Sequence, residues 1–184
     1  MRRLALCASL LILPVALHAT VILPIEFREL VTSSAVIVHG RVTDARSAFV
    51  DERRSVETFV TLDVDEYFKG NLGHHVTFRV PGGQIGRYKT VFIGAPEFAE
   101  GDEVVLFLKT AGGGIPFVTG LSQGAFRVLP DAASGRKVVT TPIVMGKSTG
   151  GVETIVRGDP TRRPLPIESF RDAVRQVLAE AARQ

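Results

Sequence analysis

The 184-residue chain carries one cysteine, Cys7, and a formal net charge of only +3. It also lacks an uninterrupted apolar run of the roughly 20 residues that a membrane-spanning helix needs. Each shortage excludes a class. One thiol cannot build a disulfide framework or a cysteine-rich metal site. Charged residues at 22% and a mean hydropathy of +0.21 exclude a disordered or acidic-tail protein, so a packed core is expected.

The N-terminus reads as an export signal. Met1-Arg2-Arg3 is basic, residues 4–17 are apolar with Pro14 inside the run, and His18 leads to the small residue Ala19. Cleavage there makes residues 1–19 a signal peptide and Thr20 the first mature residue. A lipoprotein signal would use Cys7, but Leu6 stands before it where a small residue is wanted. Losing Arg2 and Arg3 takes Lys plus Arg from 22 to 20 against 19 acids, a mature net charge of +1. The apparent basicity therefore belongs largely to the signal, and a near-neutral mature chain has little electrostatic pull toward nucleic acid or anionic membranes. The mature chain also has no cysteine, so the expected bacterial periplasmic or secreted protein is held by its core alone.

Beyond the signal, Pro24 followed by Ile25, Phe27, Leu30 and Val31 predicts a two-turn helix ending at Thr32-Ser33-Ser34. The period then changes to two. Val36, Val38 and Val42 alternate with Ile37, His39 and Arg41, and Gly40 falls in the inward row, where a strand can bend to close a barrel. Val56, Thr58, Val60, Leu62 and Val64 share one face of a long strand, opposite Glu57, Thr61, Asp63 and Asp65. The turn residues 69–73 join it to Val76, Phe78 and Val80 as a hairpin. Residues 104–108 are apolar on both faces and predict a central strand; 117–121, 125–129 and 137–140 follow as further strands.

The expected organisation is thus a mainly β domain over 20–145, a small antiparallel OB-like β-barrel with a short N-terminal helix. A Gly, Thr, Arg and Pro-rich linker or arm over 146–166 then leads to an amphipathic helix over 167–184. Phe170, Val174, Val177, Leu178 and Ala181 form that helix's apolar face, and it is expected to pack on the barrel rather than on a membrane.

Four segments in order, residues 38–42, 61–70, 76–80 and 98–108, carry a resemblance. Their sequence is similar to the strand pattern of netrin-like modules and the tissue inhibitors of metalloproteinases, and it resembles exported bacterial proteins with the same order of motifs. The similarity covers about residues 34–108 and implies an OB-type barrel. Those extracellular modules rely on cysteines that the mature chain lacks. The resemblance also implies a mechanism, in which a free N-terminal amine and the first carbonyl chelate a protease's zinc. Here the equivalent groups belong to Thr20, next to Val21.

Several motifs look chemical. Gly120-Leu121-Ser122-Gln123-Gly124 matches the G-x-S-x-G nucleophile pattern, yet His39, His74 and His75 all precede it, and strand residues follow it where that motif needs a helix. A tight turn with a structural serine is expected. Met145-Gly146-Lys147-Ser148 lacks the opening glycine of a phosphate loop, since Thr141 stands there. His74-His75 would point to opposite faces of a strand; Asp63 with Asp65 offers two same-face carboxylates, but spacing fixes no third ligand, His39 lying on a different strand. Asp63 and Asp65 lie on one side of any sugar and do not make a glycosidase pair. The outward row of Glu57, Asp63 and Asp65 argues against a nucleic-acid groove. Arg157-Gly158-Asp159 is the adhesion tripeptide, too short to assign.

No catalytic, cofactor-binding or metal-ligating residue is assigned, and no cofactor is expected. The leading expectation is a non-enzymatic exported binding or accessory protein whose partner is another exported protein, with no nucleic acid and no membrane span after signal cleavage. The alternatives are an inhibitor of an exported zinc protease contacting it through Thr20 and Val21, and an enzyme whose site the sequence does not display.

Overall fold

Fourteen residues at about 3.3 Å each make a strand roughly 45 Å long, far more than a small barrel wall needs. Two such strands, β1 (Val36–Phe49) and β2 (Val56–Lys69), set the architecture in the computed structural model, which describes residues 23–51, 55–140, 142, 148–149, 152–153 and 164–183. They coil because their pairing slips between Ile37 and Val38, between His39 and Gly40, and between Val42 and Asp44. Each slip sets two residues against one, which bends the ladder and increases its twist. Phe68, Asp65 and Thr43 are the unpaired residues. The slips also reset the alternation of faces. Leu62 lies inside the barrel, whereas Phe68, an even number of positions later, lies in the cluster outside it. Gly40 sits at one slip, where a Cβ would stand 2.1 Å from the Asp63 carbonyl oxygen, so the expected inward glycine is a site of close backbone approach.

The ring closes through short elements. The first half of β1 pairs with β6 (Glu103–Lys109), from Val36 opposite Leu108 to Arg41 opposite Glu103. β2 pairs with β3 (His75–Pro81) in the expected hairpin. β3 then meets β7 (Phe117–Val118) in parallel at Arg79 and Phe117, and β7 returns antiparallel to β6. The order β1-β2-β3-β7-β6-β1 is a closed five-stranded, OB-like barrel. Between β3 and β6 a small hairpin, β4 (Gly83–Ile85) with β5 (Tyr88–Thr90), lies beside the sheet.

From the far edge of β6 the sheet continues through β8 (Ala125–Pro130) and β9 (Lys137–Thr140). A two-residue pair, β10 (Ser148–Thr149) with β11 (Val152–Glu153), stands apart, and β12 (Leu165–Pro166) pairs with β9. Of the segment read as an arm, most lies outside the described residues; its last residues join the sheet.

Two apolar layers result. Val38, Val42, Val60, Leu62, Phe78, Leu106 and their neighbours fill the barrel. On the outside, α1 (Phe27–Ser33) and α2 (Ile167–Ala181) cover Ile37, Val105, Phe107, Phe126 and Val128. β6 is buried on both faces because it separates the layers, as its unbroken apolar run predicts. Phe170 of α2 lies 5.1 to 6.3 Å, ring centre to ring centre, from Phe126, Phe27 and Phe107. The C-terminal helix is therefore docked on the barrel. Lys69 Nζ donates to the carbonyls of Val31 and Thr32 at 2.9 and 3.0 Å, placing a cation at the C-terminus of α1, where free carbonyls concentrate negative charge. Among the described residues no helix is long and apolar enough to cross a membrane.

Candidate functional site

The segment between β7 and β8 has to turn the chain within a few residues, and it does so through two consecutive left-handed positions. Gly120 has φ +64° and Leu121 φ +58°; Leu121 is the one non-glycine residue with positive φ among the described residues. Such a conformation costs on the order of 1 kcal/mol for a side chain with a Cβ and persists only where its surroundings hold it. A four-residue 3₁₀ turn, Leu121–Gly124, follows. Ser122 thus sits between two strands, without the following helix that a nucleophile elbow requires. The cleft of about 350 Å³ beside it is lined by Glu97, Phe98, Ala125, Arg127 and Thr140, with no histidine among its described lining residues.

This turn fastens two other segments. Gln123 is buried, and its side-chain amide acts as a strand partner for the N-terminal segment. Oε1 accepts from the backbone N–H of Ile25 at 2.7 Å and Nε2 donates to the carbonyl of Leu23 at 3.0 Å. On the other side the Ser122 N–H donates to the carbonyl of Gly94 at 2.9 Å, which ties down the loop between β5 and β6. Leu23 is 65% exposed, and Val91, Phe92 and Ile93 are 72, 52 and 64% exposed. Four large apolar side chains are thereby presented by two segments anchored to neighbouring residues of one turn. Single exposed apolar residues are ordinary, but four on two segments fastened to one turn are a candidate contact surface. Beneath the loop, a cleft of about 330 Å³ opens over the inner face of the β1–β2 extension, with Ser47 and Thr58 on its floor and Val80, Phe92 and Phe98 among its walls.

A second grouping lies on the outer face of the sheet. Glu103, at the start of β6, has a side chain 9% exposed and receives three donors. His39 Nε2 and Lys137 Nζ each lie 2.8 Å from Oε1, and Arg41 Nη2 lies 3.0 Å from Oε2. Burial pushes the Glu103 carboxyl upward, but the hydrogen bonds and charges of Lys137 and His39 together outweigh it and hold the group below the usual carboxylate range. Asp65, unpaired at its slip, brings Oδ2 to 3.8 Å from His39 Nε2.

The remaining candidates are dispersed. Asp63 does not act with Asp65; its Oδ1 lies 2.6 Å from His75 Nδ1 on β3. His74 is exposed in the bend before β3, apart from that pair. Glu57 is paired with Arg79 at 3.1 Å and Asp44 with Arg46 at 2.9 Å, so the outer face of β1, β2 and β3 neutralises itself. Thr20, Val21, Cys7, Lys147 and Arg157-Gly158-Asp159 lie outside the described residues.

Sequence reasoning missed two residues that organise these groupings. Gln123 was legible only as part of a serine motif, and its one signal was a long amide amid turn residues. Glu103 looked like a polar flank of a central strand. Only the register of β1 against β6 brings it beside His39. Compared with family models, curated proteins and solved structures, the chain matches none.

Proposed function

We propose that this chain is an exported, non-enzymatic binding or accessory protein that contacts another exported protein through the apolar rim formed by Leu23, Val91, Phe92 and Ile93. The observation that carries the reading is their joint exposure on two segments fastened to one turn. A rim of this kind desolvates readily on contact, and its anchoring limits the ordering entropy lost on binding. The test places a photo-crosslinking residue at position 92 or, as a control, at Glu168, which is exposed on α2. A discrete adduct in the envelope or medium from position 92 alone supports the reading. Equal adducts from both positions, or none from either, removes it.

One observation favours a second reading, the inhibitor of an exported zinc protease. The Gln123 amide grips Leu23 and Ile25, so a chain beginning at Thr20 has only Thr20, Val21 and Ile22 ahead of the clamp. A short lead from a fixed point loses less entropy when its amine and first carbonyl bind an ion. Inhibition by protein starting at Thr20 that one extra N-terminal residue abolishes supports this reading; equal inhibition by both forms, or none, excludes it.

A further inference from the structure

The outer-face grouping has a chemistry that the rim does not use. His39 Nε2, a carboxylate oxygen of Asp65 and a carboxylate oxygen of Glu103 lie within 4.8 Å of one another. They come from three adjacent strands: β2 supplies Asp65 at its slip, β1 supplies His39, and β6 supplies Glu103. We infer that these three side chains form a binding site for one zinc-class divalent cation, and that Lys137 is the displaceable cation occupying it in the metal-free protein.

Zinc bonds to imidazole nitrogen and carboxylate oxygen at about 2.0–2.2 Å, which sets the edges of a tetrahedral ligand shell at roughly 3.3–3.6 Å. The two edges from His39, 2.8 Å to Glu103 and 3.8 Å to Asp65, bracket that span. The third edge, between the two carboxylates, is at most 4.8 Å. Closing the set therefore takes side-chain adjustments of up to about 1.5 Å to reach the tetrahedral edge, which the exposed Asp65 side chain can make without moving a strand. Mixed imidazole and carboxylate donors select zinc and its neighbours over calcium or magnesium, which take oxygen alone.

The surroundings are arranged for a cation. His39 and Glu103 have side chains only 10 and 9% exposed, so their donor atoms are held in place, whereas Asp65 is 56% exposed and leaves the open position toward water. Arg41 binds the other oxygen of Glu103, fixing the carboxylate plane as an outer-shell partner does in built metal sites. Lys137 already sets a positive charge on the oxygen that would face the ion, at 2.8 Å, and with its side chain 55% exposed the ammonium can return to water when an ion arrives. His74 and His75, the pair that sequence points to first, contribute nothing here.

The test uses the purified full chain stripped with a chelator and titrated calorimetrically with zinc chloride alone. Saturable binding of one zinc per chain is expected. Asp65→Asn should weaken it by about tenfold or more while leaving the metal-free melting temperature unchanged, because that side chain is exposed; His39→Gln should weaken it similarly. Lys137→Gln should tighten binding by roughly two- to fivefold, by removing the competing ion pair. No saturable binding, or affinity unaltered by Asp65→Asn, overturns the inference. So does loss of binding in His75→Ala with Asp65→Asn intact in affinity, which would move the ion to the Asp63–His75 pair. An unchanged affinity in Lys137→Gln overturns the displacement.

Discussion

At the scale of single residues, the barrel depends on positions where size and polarity cannot be varied. Gly40 is one, because its missing Cβ is what allows the Asp63 carbonyl to lie against β1; the added atom would stand 2.1 Å from that oxygen and 3.0 Å from Leu62 Cγ. Both neighbours belong to a central strand and cannot withdraw as a surface side chain can. Gly40→Ala should therefore destabilise by about 3 kcal/mol, at the upper end of overpacking effects, as measured by the urea midpoint at unchanged slope. Gln123 is another. Gln123→Ala leaves the Ile25 N–H and the Leu23 carbonyl without their partner, a loss of about 1–3 kcal/mol where the groups stay buried. Because the segment can instead swing into water, much of that energy should appear as local release: limited proteolysis ahead of Phe27 should accelerate while the melting temperature falls only slightly. A large drop in melting temperature with no new cleavage would mean that the clamp serves the core and not the segment.

At the scale of elements, legibility followed how much of each element's environment its own residues determine. The strand at 104–108 was readable because burial on both faces leaves no polar residue anywhere along it. The turn was readable at 70–73 because Gly70 and Gly73 take positive φ and the Asn71 side chain accepts from the Gly73 N–H, although Lys69, read as part of it, still belongs to β2. The bulges of β1 and β2 were hidden, since an unpaired Asp65 or Phe68 has the same composition as a paired one. The strand expected over 117–121 is shorter than its apolar run suggests: only Phe117 and Val118 are strand, the chain turning at Gly120 and Leu121, and the parallel contact with β3 that closes the ring has no signal in the sequence. Val91, Phe92 and Ile93 are a short apolar piece in a polar stretch, with no period to assign a face, and they are exposed because the barrel is already filled by β1, β2, β3 and β6. The helix at the C-terminus was readable as amphipathic and as packed on the barrel, but the residues it meets there were not. Phe170 packs among Phe27, Phe107 and Phe126, three rings from three other elements. Phe170→Ala should cost about 3–5 kcal/mol by calorimetry or denaturant, because the rings around it belong to a helix and two strands that cannot collapse together. A cost under about 1 kcal/mol would indicate that α2 is dispensable to the outer core.

At the scale of the whole molecule, the barrel divides its surface into regions with different chemistry. Helices cover one outer face and self-neutralised charge covers another. The four most exposed large apolar residues among the described residues, Leu23, Val91, Ile93 and Phe92, stand on segments hydrogen-bonded to the turn after β7. Holding Leu23, Val91, Phe92 and Ile93 in water has a cost in solubility that folding alone does not require, since none of the four is buried. Changing Val91, Phe92 and Ile93 together to serine should therefore leave the melting temperature within a few degrees, because exposed side chains contribute little to the folded state. The same variant should remain soluble at higher protein concentration than the wild type, measured as the onset of light scattering on concentration. If the rim is a contact surface, the variant also loses the position-specific crosslink when the photo-reactive residue stands at Leu23 in place of position 92. A variant that melts more than about 10 °C lower would instead make the loop a structural lid over the cleft beneath Phe92, with its apolar side chains inward for most of their lifetime.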